Sequence, residues 1–129
     1  MVRTLVALLL TGLALFAADL AGTYKGTWSG SSGASGDFRI SLAPADNGEW
    51  KSDVVFSLGG ADVKTTVTSV KVEGSKLRVV YQFDLQETKL ESTVTGQLTG
   101  NSLEGTYTTK AVADGSAVDE GTWKAASGQ

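Results

Sequence analysis

From Leu20 onwards, apolar and polar residues alternate along most of the chain, and turn residues interrupt the alternation at intervals of about 8–12 residues. A period of two places successive side chains on opposite faces of a strand, so each stretch predicts a β-strand with one apolar face. The clearest alternation covers 76–84, whose inward positions are Leu77, Val79, Tyr81 and Phe83. No stretch of the remaining sequence after Leu20 has the period of an amphipathic helix.

Eight strands are predicted in this way, over 20–29, 37–43, 49–58, 61–73, 76–84, 88–99, 103–109 and 118–125. The inward phase of 61–73 changes near Thr68 or Ser69, which predicts a β-bulge that bends the strand. The serine- and glycine-rich segment 30–36 predicts a mobile loop, because its small residues favour no strand.

Glycine and aromatic residues recur together at both ends of the strand-forming region. The phrase from Gly22 to Trp28 is echoed by Gly105-Thr106-Tyr107 and by Gly121-Thr122-Trp123. Such a match predicts that the first and last strands pair, with Trp28 beside Trp123. The expected fold is therefore all-β, an eight-stranded antiparallel up-and-down barrel with apolar side chains inside.

The first residues have a different character from the strands. Arg3 precedes the apolar run 4–16, and Ala17 offers a small residue for cleavage, which predicts a signal peptide over 1–17 and a barrel domain over 18–129. The apolar run is shorter than the roughly 17–25 residues that span a bilayer. An uncleaved anchor is the alternative. The expected location is secreted or periplasmic.

Composition narrows the range of functions. The formal net charge is −3 and basic residues are not clustered, which argues against nucleic acid as a partner and, after signal cleavage, against a membrane surface. The sequence has no cysteine, so stability must come from burial and sheet pairing. Together with the lack of an Asn-x-Ser/Thr acceptor, this favours a bacterial exported protein.

Catalytic chemistry finds little support. Histidine and cysteine are both absent, which removes the usual general base, the thiolate nucleophile and the commonest zinc ligands. We therefore expect no enzyme, no metal and no cofactor. Asp119 shares the inward phase of Gly121 and Trp123 near the barrel mouth, and we interpret it as part of a solvated strand end.

Several short motifs resemble those of lipocalin-like (calycin-type) barrel domains of bacterial exported proteins. Gly26-Thr27-Trp28 is similar to the G-x-W signature of the first strand, Ser69 to Gly74 to a second phrase, and Leu103 to Thr106 to a late strand. Such domains are often attached to secreted hydrolases. The resemblance covers nearly all of 18–129, and it implies a lipocalin-like barrel. The interior of an eight-stranded barrel is just wide enough to be filled by side chains or to hold one small ligand.

A second phrase, Leu103 to Thr109, resembles a strand of avidins, whose tyrosine and second threonine contact biotin. The resemblance implies ligand contacts from Tyr107 and Thr109. The phrase lies near the start of avidin chains and near the end of this one, and the other avidin tryptophan motifs are missing.

The inward aromatic residues are the candidate binding residues. A small apolar or amphipathic ligand would be held by Tyr24, Trp28, Trp50, Tyr81, Tyr107, Thr109 and Trp123. Inward hydroxyls for hydrogen bonds are predicted at Ser52, Thr65, Ser92 and Thr109. The alternative is a solid-core structural or interaction domain, because the same rings can fill a small barrel.

Overall fold

The computed structural model describes residues 20–127, so the predicted signal peptide over 1–17 lies outside the described residues. The described chain is all-β: one antiparallel sheet of nine strands curls into a half-barrel. The strands are β1 (Gly22–Gly30), β2 (Ser35–Pro44), β3 (Trp50–Leu58), β4 (Ala61–Lys64), β5 (Thr66–Glu73), β6 (Lys76–Leu85), β7 (Thr88–Thr99), β8 (Ser102–Ala111) and β9 (Ala117–Ser127). A short 3₁₀ turn, Asp46–Gly48, joins β2 to β3. No helix within 20–127 is long and apolar enough to cross a membrane.

The order of strands across the sheet is β4-β3-β2-β1-β9-β8-β7-β6-β5. The predicted pairing of first and last strands is confirmed: β1 lies between β2 and β9, and Trp28 is directly opposite Trp123. The glycine-aromatic repeat therefore marks two neighbouring strands. The buried positions of β1 and β9 follow the predicted inward phase.

The prediction of one continuous strand over 61–73 was wrong at Thr65, where the chain passes from β4 to β5. The Thr65 hydroxyl donates to the carbonyl of Val54 at 2.8 Å, and this bond lies where the chain leaves its pairing with β3. β5 then pairs only with β6. The predicted bulge is confirmed, since the β5–β6 register shifts between Val67 and Ser69.

A consequence of this break is an open cleft between β3 and β5. The part of β3 from Trp50 to Val54 pairs with β2 but not with β4. β5 approaches β3 without forming a ladder. The sheet therefore has nine strands instead of eight.

The predicted loop over 30–36 is a tight turn. β1 ends at Gly30, β2 begins at Ser35, and the Gly30 amide donates to the carbonyl of Ala34 at 2.8 Å. Gly33 takes a φ of +94°, a backbone conformation that favours glycine. The small residues therefore serve turn geometry rather than a long connection.

One end of the half-barrel is packed with aliphatic side chains. We call it the filled end and define it by Leu20, Tyr24, Ile40, Val54 and Leu103, each at most 1% exposed. The Tyr24 hydroxyl donates to the carbonyl of Leu20 at 2.9 Å, which ties Leu20 to β1 at this end. Each such apolar side chain contributes about 1.5–3 kcal/mol on burial.

Glycine allows Trp123 to lie flat against the sheet. A Cβ built on Gly96 would be only 2.6 Å from Cζ2 of Trp123. The indole Nε1 donates to the carbonyl of Thr95 at 3.1 Å, which fixes the ring over β7. Gly96 therefore makes room for the indole on the inner face of the sheet.

Candidate functional site

The end of the half-barrel opposite the filled end contains a cavity of about 290 Å³. We call it the aromatic cavity, because its walls carry the rings of Trp28, Phe38, Phe56, Tyr81, Phe83, Tyr107 and Trp123. Its mouth lies where four connections meet, namely β1–β2, β3–β4, β6–β7 and β8–β9. The residues at the mouth include Ser32, Leu58, Leu85, Val118 and Asp119.

Three pairs of rings in the aromatic cavity meet edge to face, and three further pairs are tilted at 35–46°. Trp28 lies at 88° to Phe56 with centroids 5.9 Å apart, and at 86° to Tyr107 with centroids 6.0 Å apart. Phe56 and Phe83 meet at 78° and 5.0 Å. Edge-to-face pairs are favourable because the positive ring edge meets the negative face. These ring contacts connect the side chains that surround the cavity.

One wall of the aromatic cavity carries a line of polar side chains. Tyr81, Ser92, Thr109 and Asp119 stand directly opposite one another on β6, β7, β8 and β9. We call this line the polar row. The hydroxyls of Ser92 and Thr109 are 2.5 Å apart, and the Tyr81 hydroxyl is also bonded to Ser92. Antiparallel register, rather than sequence proximity, brings the four residues together.

Asp119 ends the polar row at the mouth. Its Oδ2 accepts a hydrogen bond from the Tyr107 hydroxyl at 3.0 Å, and its Oδ1 accepts one from the Ser32 amide at 3.2 Å. Asp119 is partly exposed near the start of β9, which agrees with the interpretation as a strand end at the mouth, and it is in addition bonded to two other elements. Burial raises the pKa of Asp119, but the hydrogen bonds from Tyr107 and Ser32 outweigh it and hold that pKa below its ordinary value.

Both cavity phenols stay protonated at neutral pH. Burial raises the pKa of Tyr81 to about 12, against the opposing hydrogen bond with Ser92. Burial, then the bond to Asp119 and its charge, raise the pKa of Tyr107 well above its ordinary value. The two phenols can therefore donate hydrogen bonds, but neither is poised to act as a base near pH 7. Within residues 20–127 no group of acidic, histidine or cysteine side chains is placed to hold a metal ion.

Gly30 lies directly beneath the Tyr107–Asp119 pair. A Cβ built on Gly30 would collide with Oδ2 of Asp119 and come within 2.6 Å of the Tyr107 hydroxyl. Glycine at this position therefore allows the hydrogen-bonded pair to rest on the end of β1.

Five of the seven predicted binding residues line the aromatic cavity: Trp28, Tyr81, Tyr107, Thr109 and Trp123. The structure does not bring the other two to it. Tyr24 lies in the filled end, with its hydroxyl bonded to Leu20. Trp50 is half-buried beside the cleft between β3 and β5, because the inward face of β3 divides between the two ends.

Of the four hydroxyls predicted to face inward, two line the aromatic cavity and two lie elsewhere. Ser92 and Thr109 reach the aromatic cavity, whereas Thr65 is bonded to Val54. Ser52 lies by the β3–β5 cleft, and its hydroxyl oxygen is buried with no partner among the described residues. Sequence reasoning placed Asp119 on the inward face near the mouth but missed its hydrogen bonds to Tyr107 and Ser32. Asp119 and Thr109 both fall on inward positions of two consecutive strands, and this is the sequence signal that places Asp119 at the cavity.

Comparison with other proteins assigns the chain to no family. No protein-family model matches the chain, and no curated protein or solved structure matches it either. The lipocalin-like resemblance thus rests on short motifs alone, and the functional argument rests on the aromatic cavity.

Proposed function

We propose that this protein is a non-enzymatic binding module of lipocalin-like type that holds a small apolar or amphipathic molecule in the aromatic cavity. The observation that carries the proposal is the cavity itself, about 290 Å³ and walled by seven aromatic side chains. Ligand sites are typically apolar concavities with a few placed polar groups, and the polar row supplies such groups here.

The size of the aromatic cavity restricts the ligand. Ligand pockets generally range from about 300 to 1,000 Å³, and 290 Å³ lies at the lower limit of that range. A single aromatic ring with a short side chain, or a short aliphatic chain, is of suitable size. Its polar end would lie at Asp119 and Tyr107, near the mouth.

Export belongs to the same proposal and is supported by the signal-like pattern of 1–17. A secreted or periplasmic binding module would meet its ligand outside the cytoplasm. The alternative of a solid-core structural or interaction domain is favoured by the filled end but not by the aromatic cavity.

Tryptophan fluorescence tests the proposal, because Trp28 and Trp123 line the aromatic cavity and Trp50 does not. We expect fluorescence to change on titration with a panel of short fatty acids, short isoprenoid alcohols and monocyclic aromatic compounds. The change should persist in a Trp50→Phe background, since only the cavity tryptophans report on it. A flat response to the whole panel contradicts ligand binding and favours the structural alternative.

A matched pair of variants separates cavity binding from surface binding. Val94→Phe adds a ring to the cavity wall, whereas Thr95→Phe adds the same ring to the exposed face of β7. Binding should be lost in the first variant and kept in the second. Equal affinity in both would place the ligand elsewhere. Mass spectrometry of the non-denatured protein should in addition reveal any molecule retained on purification.

A further inference from the structure

We propose that the aromatic cavity selects a small organic cation, with the ammonium group beside Asp119 and an aromatic or short aliphatic body among the rings. This inference rests on the proposed function and adds the chemical class of its ligand. It is carried by the one carboxylate at the mouth, by the neutral donors that hold it, and by the rings behind it.

The first step concerns charge. Among the cavity-lining residues that the structure describes, Asp119 is the only charged one. Two ion pairs are formed in the described part of the chain, Lys89 with Asp84 and Lys110 with Glu91, and neither involves Asp119. The lining of the cavity therefore carries one carboxylate, and that carboxylate forms no ion pair within the described residues.

The second step concerns the groups that orient this carboxylate. The Tyr107 hydroxyl and the Ser32 amide are both neutral donors, so they fix the position of Asp119 without cancelling its charge. Gly30 leaves room for the pair on the end of β1. A carboxylate that is positioned in this way before the ligand arrives loses little entropy on binding.

The third step concerns the rings next to the carboxylate. Tyr107 connects the two features, because its hydroxyl is bonded to Asp119 and its ring meets that of Trp28 at 6.0 Å. Cations are attracted to the faces of aromatic rings, most strongly to that of tryptophan. A carboxylate and aromatic rings in one partly closed site both favour an ammonium group and disfavour an anionic one.

Three compounds with the same ring and different polar ends test the inference: phenethylamine, phenethyl alcohol and phenylacetate. Calorimetric or fluorescence titration of the full chain should show the amine binding at least about tenfold more tightly than the alcohol, because only the ammonium group carries a positive charge that pairs with the carboxylate and is attracted to the ring faces. Phenylacetate should bind most weakly. Equal affinity for amine and alcohol overturns the inference.

Two variants locate the effect. Asp119→Asn keeps an acceptor for Tyr107 but removes the charge, so the preference for the amine over the alcohol should fall to about twofold or less. Glu120→Gln removes the neighbouring exposed charge and should keep the full preference. An amine preference that survives Asp119→Asn overturns the assignment to this carboxylate.

The outcomes also separate the inference from the proposed function. Binding of phenethyl alcohol without a preference for the amine overturns the cation inference and supports the proposed function. Absence of binding by all three compounds, together with a flat response to the wider panel, overturns both.

Discussion

The two ends of this half-barrel follow the same inward alternation and yet differ in what they enclose. The filled end is built mainly from branched aliphatic side chains, such as Leu20, Ile40 and Val54, and they are almost completely buried. The opposite end uses aromatic rings and a polar row, and it encloses about 290 Å³ of space. The pattern of inward positions thus determines the sheet, whereas the shape of the inward side chains determines whether its interior is solid.

Packing explains the difference. Among the most completely buried side chains, only Val94 and Ser92 line the aromatic cavity, and both lie deep on its wall. Aliphatic side chains adopt staggered rotamers that interdigitate at the density of an organic crystal. The rings at the other end, such as Phe56–Phe83 and Trp28–Tyr107, lie 5.0–6.0 Å apart between centroids and surround the cavity.

The largest effect is expected when a ring is removed from the end that contains the aromatic cavity. Trp28→Ala should lower the free energy of unfolding by about 3–5 kcal/mol, the usual cost of emptying a large aromatic site. The indole also donates to the carbonyl of Ser57 at 3.1 Å, a bond that the variant loses. Urea denaturation measures the effect, with the exposed Thr27→Ala as control. A loss below about 1 kcal/mol would show that the rings around the cavity contribute little to stability.

The second largest effect is expected at alkaline pH, which should destabilise the end that contains the aromatic cavity. Because the pKa of Tyr81 is raised from 10.0 to about 12 in the folded state, its stabilising contribution is complete below pH 10 and disappears as pH rises to about 12. The loss should reach about 2–3 kcal/mol. Thermal unfolding across this range, with Tyr81→Phe as control, measures it. Identical pH profiles for the two proteins would exclude Tyr81 as the source.

The smallest expected effect is the difference in the free energy of unfolding between two valine-to-alanine variants, one at each end of the half-barrel. Val54 lies in the filled end and Val94 on the cavity wall, and neither is more than 1% exposed. Val54→Ala opens a new void, whereas Val94→Ala only enlarges an existing one. Val54→Ala should therefore cost about 1 kcal/mol more. Equal losses would show that the cavity wall is as tightly packed as the filled end.

The sequence predicted the strands well where alternation is uninterrupted. The period of two predicts the inward phase of the strands and the bulge near Ser69. The glycine-aromatic repeat predicts that the first and last strands pair, with Trp28 beside Trp123. The break at Thr65 could not be predicted in this way, because it depends on a hydrogen bond to Val54 on a neighbouring strand.

The candidate site was predictable only in part for a similar reason. Phase shows which residues point inward, but not how far along the barrel axis each one lies. Tyr24 and Trp50 were predicted to face inward, but they lie outside the aromatic cavity. Asp119 is hydrogen-bonded to Tyr107 on the neighbouring strand and to Ser32 in the β1–β2 turn, and these contacts depend on the three-dimensional fold. The register between β1 and β9 pairs Gly30 with Gly121, so it would have placed Asp119 two positions further along, close to the β1–β2 turn that contains Ser32.

The ladder between β1 and β9 also has a consequence for folding kinetics. Every other ladder joins strands that follow one another in sequence, whereas this one joins the two strands that are farthest apart in the described chain. Closing so long a loop carries the greatest entropic cost, so we expect this ladder to form late and to limit the folding rate. Until it forms, β1 and β9 each present an unpaired edge that can associate with another chain.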